Sequence, residues 1–192
     1  MPMSGRRALE RGFDKRTFDG VGHGMRQLLA LLASMQELGR DSRKGLIDPA
    51  FRERLMLAVT SVNECRYCSF AHAKAALEAG VPAEEVDDLL CGKADGCPDG
   101  EGPALLYAIH WAEARGGPDP LARARMVETY GEERTRAIER AIRAIETGNL
   151  LGNSIDYILF RLTFGRVGDR RSLIGARSRG GRRGSQTSPG DV

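Results

Sequence analysis

Four side chains capable of proton and thiol chemistry stand at fixed spacing in one stretch of the chain: Glu53, Cys65, Cys68 and His72. They fall in the run ERLMLAVTSVNECRYCSFAH. Residues three and four apart on a helix share a face, so Cys65, Cys68 and His72 can point the same way. Paired thiols beside an imidazole and a carboxylate can hold, release and pass on protons. That is the equipment of thiol–disulfide chemistry rather than of core packing.

Each residue also has a plainer reading. Two cysteines on a helix face can be small, inert core residues. If both were helical, their Cβ atoms would lie about 5–6 Å apart, whereas a disulfide needs about 3.5–4.5 Å. Closure then takes a local adjustment and leaves a bond that is easily reduced, which suits a cycling pair better than a staple. Cys65 sits near a predicted helix N-terminus, where free N–H groups favour a thiolate. His72 falls one turn after Cys68, and imidazole as a side-chain type suits proton transfer near neutrality. Glu53 lies between Arg52 and Arg54 and taken alone reads as a solvated carboxylate. It shares a helix face with Leu57 and Thr60, however, which lets it point inward.

The elements that carry these residues read as helices throughout, because no segment alternates apolar and polar residues as a strand would. Leucines mark a helix over about 25–39. Asp48-Pro49 is a helix start, with Asp as N-cap and Pro in the first turn. Phe51, Leu55, Ala58, Val59 and Val62 follow at helical spacing. Asn63 is a candidate cap for the cysteine-bearing helix, which Gly80 stops. Val81-Pro82 opens a short helix through Leu90, and Pro103 opens the next. Further helices are expected over 120–130, 132–147 and 149–164, stopped at Gly131 and Gly148. The expected fold is all-α, a single-domain bundle of about seven or eight helices with short loops. The expected layout is a flexible segment over 1–20, a helical domain over 21–164 and a basic, disordered tail over 165–192.

Composition narrows the functional classes. With 192 residues, 41% hydrophobic and 29% charged, the chain is long enough for a real core. No apolar run reaches the roughly 18 residues of a membrane span, and the start lacks a secretory pattern. A reducing cytoplasm is the expected compartment, and there a C-x-x-C pair is more often catalytic or metal-binding than structural. The formal net charge is +3. Residues 165–192 hold seven Arg and two Asp, which leaves the body mildly acidic. The basic tail has no interleaved aromatics, which argues against a nucleic-acid partner.

The whole pattern of Glu53, Cys65, Cys68 and His72 resembles the active-site motif of alkylhydroperoxidase D and its relatives in the carboxymuconolactone decarboxylase superfamily. The surrounding helical pattern is similar from roughly Met25 to Phe164. The resemblance implies a thiol-dependent hydroperoxide reductase or disulfide oxidoreductase with an antioxidant role, needing no metal or other cofactor. Cys68 matches the thiol served by a proton relay, Glu53 and His72 match the relay, and Cys65 matches the resolving thiol. Helix position favours Cys65 as the exposed thiolate; the relay favours Cys68, which is taken here as the first nucleophile. The implied partners are a hydroperoxide, a dithiol or thioredoxin- or lipoyl-type reductant, and further copies of the chain in a homo-oligomer. One position departs from the pattern. Tyr67 stands where the best-known alkylhydroperoxidase D enzymes have histidine, which marks it as a neighbour of the site.

Two alternatives stay open. One is a non-catalytic redox sensor of the same fold, and the other a cofactor-free decarboxylase-like enzyme. The decarboxylases of the superfamily lack the cysteine pair, which weighs against the second. Cys91 and Cys97 could join Cys65 and Cys68 as zinc ligands, but their looser spacing suits a loop disulfide or free thiols better. His23 and His110 read as surface or core-edge residues.

Overall fold

The computed structural model describes residues 13–165 and 167. Among these residues the regular structure is helical, with no strand. Six helices follow in order: α1 Val21–Arg43, α2 Pro49–Asn63, α3 Arg66–Glu78, α4 Ala83–Leu90, α5 Gly102–Glu113 and α6 Pro120–Leu162. That is fewer than the sequence predicts. Gly148 does not end a helix, and α6 runs through it. Gly131 does break the helical path, at φ 76° and ψ 162°, as a kink within α6. The difference is physical: Gly131 takes up a conformation that suits glycine, whereas Gly148 stays helical and only weakens the helix. The expected terminal segments lie outside the described residues, apart from the stretches 13–20 and 165 and 167.

The chain divides into two units. The larger is Lys15–Asn153, and the smaller runs from Ser154 onward with the residues before Lys15. In the smaller unit Phe13 packs edge-on to Tyr157, with centroids 5.3 Å apart, and also against Phe160.

The larger unit holds the core and the candidate site. Asp48 caps α2 as the sequence predicts, its carboxylate accepting the Phe51 N–H at 2.9 Å. Such a cap contributes about 1 kcal/mol. Phe51, Leu55, Leu57, Ala58 and Val59 are fully buried. α2 is therefore an interior helix, and its neighbours supply Ala104, Leu105 and Ala108 from α5 and Ile138 and Ile142 from α6.

α2 ends in a way the sequence does not announce. Asn63 is its last residue rather than a cap for the next helix, and Glu64 takes a left-handed conformation at φ 56°. That turn costs roughly 1–2 kcal/mol for a non-glycine residue. It also reverses the chain within two residues, so that α3 starts directly at the cysteines. α3 then stops at Gly80, at φ 86°.

α1 departs from a core helix. Val21, Met25, Leu29, Leu32 and Met35 are more than half exposed. Its inward polar contact is Asp41, whose carboxylate accepts two bonds from Arg140 at 2.7 and 2.8 Å.

Candidate active site

Cys65 is not helical. It is the N-cap of α3, with extended backbone at φ −75° and ψ 107°. The expectation that both cysteines ride one helix face is therefore corrected for Cys65. An N-cap side chain folds back over the first turn to meet a free N–H. Here the Cys65 sulfur accepts the Cys68 backbone N–H at 3.3 Å. The same fold-back brings the two sulfurs to 2.6 Å, far closer than two helical positions would allow. Both are free thiols.

Burial separates the pair. Cys65 is wholly buried, whereas Cys68 is only partly so. Cys65 is thus not the exposed thiolate that its place at a helix start suggested. The hydrogen bond to Cys65, followed by burial, pushes the Cys68 thiol far above the usual range. The two sulfurs share one proton more readily than they give up two, as coupled groups do.

Glu53 and His72 meet across α2 and α3. His72 Nδ1 lies 2.7 Å from Glu53 Oε2. Glu53 is 4% exposed, so it is no solvated surface carboxylate. Burial pushes its carboxyl up. The hydrogen bond and charge of His72, together with Arg52 at 3.0 Å, outweigh that and hold it below its ordinary value. A carboxylate can only accept, so Nδ1 carries the proton and Nε2 is left as the basic nitrogen. His72 is about one-quarter exposed, enough for solvent to reach it.

Tyr67, which a Cβ at Gly152 would meet, lies beside the cysteine turn. Arg66 stacks 4.7 Å over the Tyr67 ring and donates to its hydroxyl at 2.7 Å. Tyr67 and Phe70 are exposed.

Three further residues reach the cysteine turn from α6. Asn149 Nδ2 donates to Thr60 Oγ1 at 3.2 Å. Asn153 Nδ2 donates to the Asn63 carbonyl at 2.7 Å and to the Arg16 carbonyl at 3.0 Å. Between them, Gly152 packs against Cys65, and an ideal Cβ there would lie 2.6 Å from its sulfur. Sequence reasoning missed all three. The available signal was two asparagines and a glycine at i, i+3 and i+4 on one face of α6.

The remaining candidates stay apart from this chemistry. Burial, then a hydrogen bond to Glu85, pushes the Cys97 thiol up to about 12, so it remains protonated. Its neighbours Arg54 and Glu85 form a buried ion pair at 2.6 Å. Cys91 and Cys97 are free thiols. Among the described residues there is no group of three or more His, Cys, Asp or Glu that could hold a metal ion. His110 accepts the Asp119 N–H at 3.2 Å, and His23 accepts that of Asp19 at 3.3 Å.

Residues 26–114 match the model of the carboxymuconolactone decarboxylase family. Over this segment the chain is similar to that family. The matched region runs from α1 to the end of α5 and contains Glu53, Cys65, Cys68 and His72. It ends before Asn149, Gly152 and Asn153, so residues beyond the matched region complete the cysteine turn. No curated protein and no solved structure matches the chain. No helix among the described residues is long and apolar enough to cross a membrane.

Proposed function

We propose that this chain is a thiol-dependent hydroperoxide reductase, or a disulfide oxidoreductase where peroxide is handled by another protein. The observation that carries the reading is the Glu53–His72 hydrogen bond beside a cysteine pair whose sulfurs lie 2.6 Å apart. Cys68 is the first nucleophile, because it is the thiol that substrate can reach. His72 Nε2 takes the Cys68 proton, through a bridging solvent molecule, and Glu53 stabilises the imidazolium that forms. The thiolate attacks the O–O bond of a hydroperoxide. Sulfur gains one oxygen as sulfenic acid, and the proton leaves His72 with the departing alkoxide to make an alcohol. Cys65 then attacks the sulfenic sulfur, forming the disulfide and releasing water. An external dithiol reduces the pair by exchange and is itself oxidised to a disulfide. The residues present need no metal or organic cofactor for these steps. Exposed Tyr67, which lies beside Cys65 across from Gly152, suits an organic rather than a purely inorganic peroxide. A reducing cytoplasm is the compartment in which such a pair is recharged.

A homo-oligomer is part of the proposal. Val21, Met25, Leu28, Leu32 and Met35 form an exposed stripe at alternating four- and three-residue spacing on α1, the pattern of a helix that packs on a second helix. Ile155, Ile158 and Leu162 repeat it in the smaller unit. Second copies of the chain are the proposed cover.

The test is steady-state consumption of an organic hydroperoxide driven by dihydrolipoamide, with Cys68→Ser as the comparison. Many turnovers per chain that vanish in the variant support the reading. An absence of turnover in a wild-type chain whose pair still oxidises readily would overturn the peroxidase assignment in favour of a redox sensor.

A further inference from the structure

We infer that Gly152 is a positioning residue for the cysteine pair, fixing where the Cys65 sulfur sits. The inference rests on the thiol-redox reading of Cys65 and Cys68.

Gly152 and Gly148 both lie within α6, where glycine is a poor helix former. The two glycines differ in their surroundings. A Cβ added at Gly148 would meet nothing within 4 Å. At Gly152 it would lie 2.6 Å from Cys65 Sγ, 3.3 Å from Tyr67 Cδ2 and 4.0 Å from Cys68 Sγ. One missing methyl group thus faces both sulfurs. Tyr67 is exposed and can swing aside. Cys65 is wholly buried and cannot move without leaving its contacts.

The helix cannot easily retreat instead. Asn149 and Asn153 flank Gly152 and tie α6 to Thr60 and to the Asn63 carbonyl, at the end of α2 just before Cys65. A side chain at 152 would therefore displace the Cys65 sulfur rather than the backbone. The displaced sulfur loses both the Cys68 N–H and its approach to the Cys68 sulfur. Closure of the disulfide, in which two thiols give up two hydrogens to an oxidant such as glutathione disulfide, becomes less favourable.

The experiment measures the equilibrium constant for oxidation of the pair in glutathione buffers. It compares the full chain with Gly152→Ala and with Gly148→Ala. Gly152→Ala should lower the constant at least tenfold, and Gly148→Ala should leave it unchanged. An unchanged constant in Gly152→Ala would overturn the inference. A second measurement covers a variant that folds poorly. The loss of thermal stability caused by Gly152→Ala should disappear when Cys65 is also replaced by Ala, because the clashing sulfur is gone. A Gly152→Ala cost as large in the Cys65→Ala background as in the wild-type chain would equally overturn it. Neither readout depends on peroxide turnover, so a failure of the peroxidase reading is seen separately.

Discussion

His72 Nδ1 and Glu53 Oε2, on two different helices, are joined by a 2.7 Å hydrogen bond that leaves Nε2 as the free ring nitrogen. Glu53→Gln keeps an acceptor for the Nδ1 proton but removes the charge that stabilises the imidazolium. Positioned general base catalysis contributes about 10²–10⁴-fold. The variant should lose about 100-fold or more in kcat for hydroperoxide, with KM for the peroxide little changed. Steady-state kinetics of both proteins check this.

The same pair makes stability depend on pH. The folded Glu53 carboxyl titrates below its ordinary value of 4.5. Near that value the unfolded chain binds more protons, so stability rises with pH there. Glu53 contributes fully above its unfolded pKa, and the contribution is lost as pH falls through the lower folded pKa. The Tm gap between wild type and Glu53→Gln should therefore be widest above about pH 5.5 and shrink towards pH 3. Thermal melts across that range read it directly.

The two cysteines should behave differently towards oxidant. Cys68 is partly exposed and Cys65 wholly buried. In Cys65→Ser, hydroperoxide should leave a sulfenic acid on Cys68 that a sulfenic-specific nucleophile such as dimedone traps. In Cys68→Ser, trapping at Cys65 should be at least tenfold slower, the fold-change taken as a rough measure of access. Intact-mass analysis distinguishes the two, and equal labelling would remove the assignment of Cys68 as first nucleophile.

Asn153 has a structural task with a measurable cost. Its amide donates to two backbone carbonyls, of Asn63 and Arg16. Asn153→Ala removes both bonds, at roughly 1–3 kcal/mol for the buried Asn63 carbonyl and about 1 kcal/mol for the part-buried Arg16 carbonyl. Chemical denaturation should show a loss of about 2–4 kcal/mol. A loss below about 0.5 kcal/mol would mean that solvent replaces the amide.

The exposed stripe on α1 predicts a concentration-dependent assembly. Leu32→Lys places a charge in the middle of that stripe, where Leu32 is 60% exposed in the single chain. Light scattering should find wild type larger than a monomer and the variant shifted towards monomer, with helical content retained. A monomeric wild type would contradict the proposed cover.

Much of the local structure was legible because its causes are local. Asp48-Pro49 starts α2 through a side chain and a ring three residues or fewer from the bonds they affect. The apolar periodicity of Phe51, Leu55, Ala58 and Val59 marks a buried face, and the spacing of Cys68 and His72 fixes their shared side of α3. The fate of Gly131 and Gly148 was not legible. A helix spans or breaks at glycine according to what its flanks pack against, and that information is not local.

The sequence by itself determined an all-helical chain and singled out Glu53, Cys65, Cys68 and His72, because helix periodicity, capping and thiol chemistry are written in neighbouring residue types. Only the tertiary structure decided that Glu53 turns inward to His72, since orientation depends on which helix packs alongside. It also decided that Glu64 bends left-handed and puts Cys65 at an N-cap, where its sulfur reaches Cys68. Gly152 meets Cys65 across a long stretch of chain. No periodicity encodes such a contact; it exists because α6 packs back onto the start of α3.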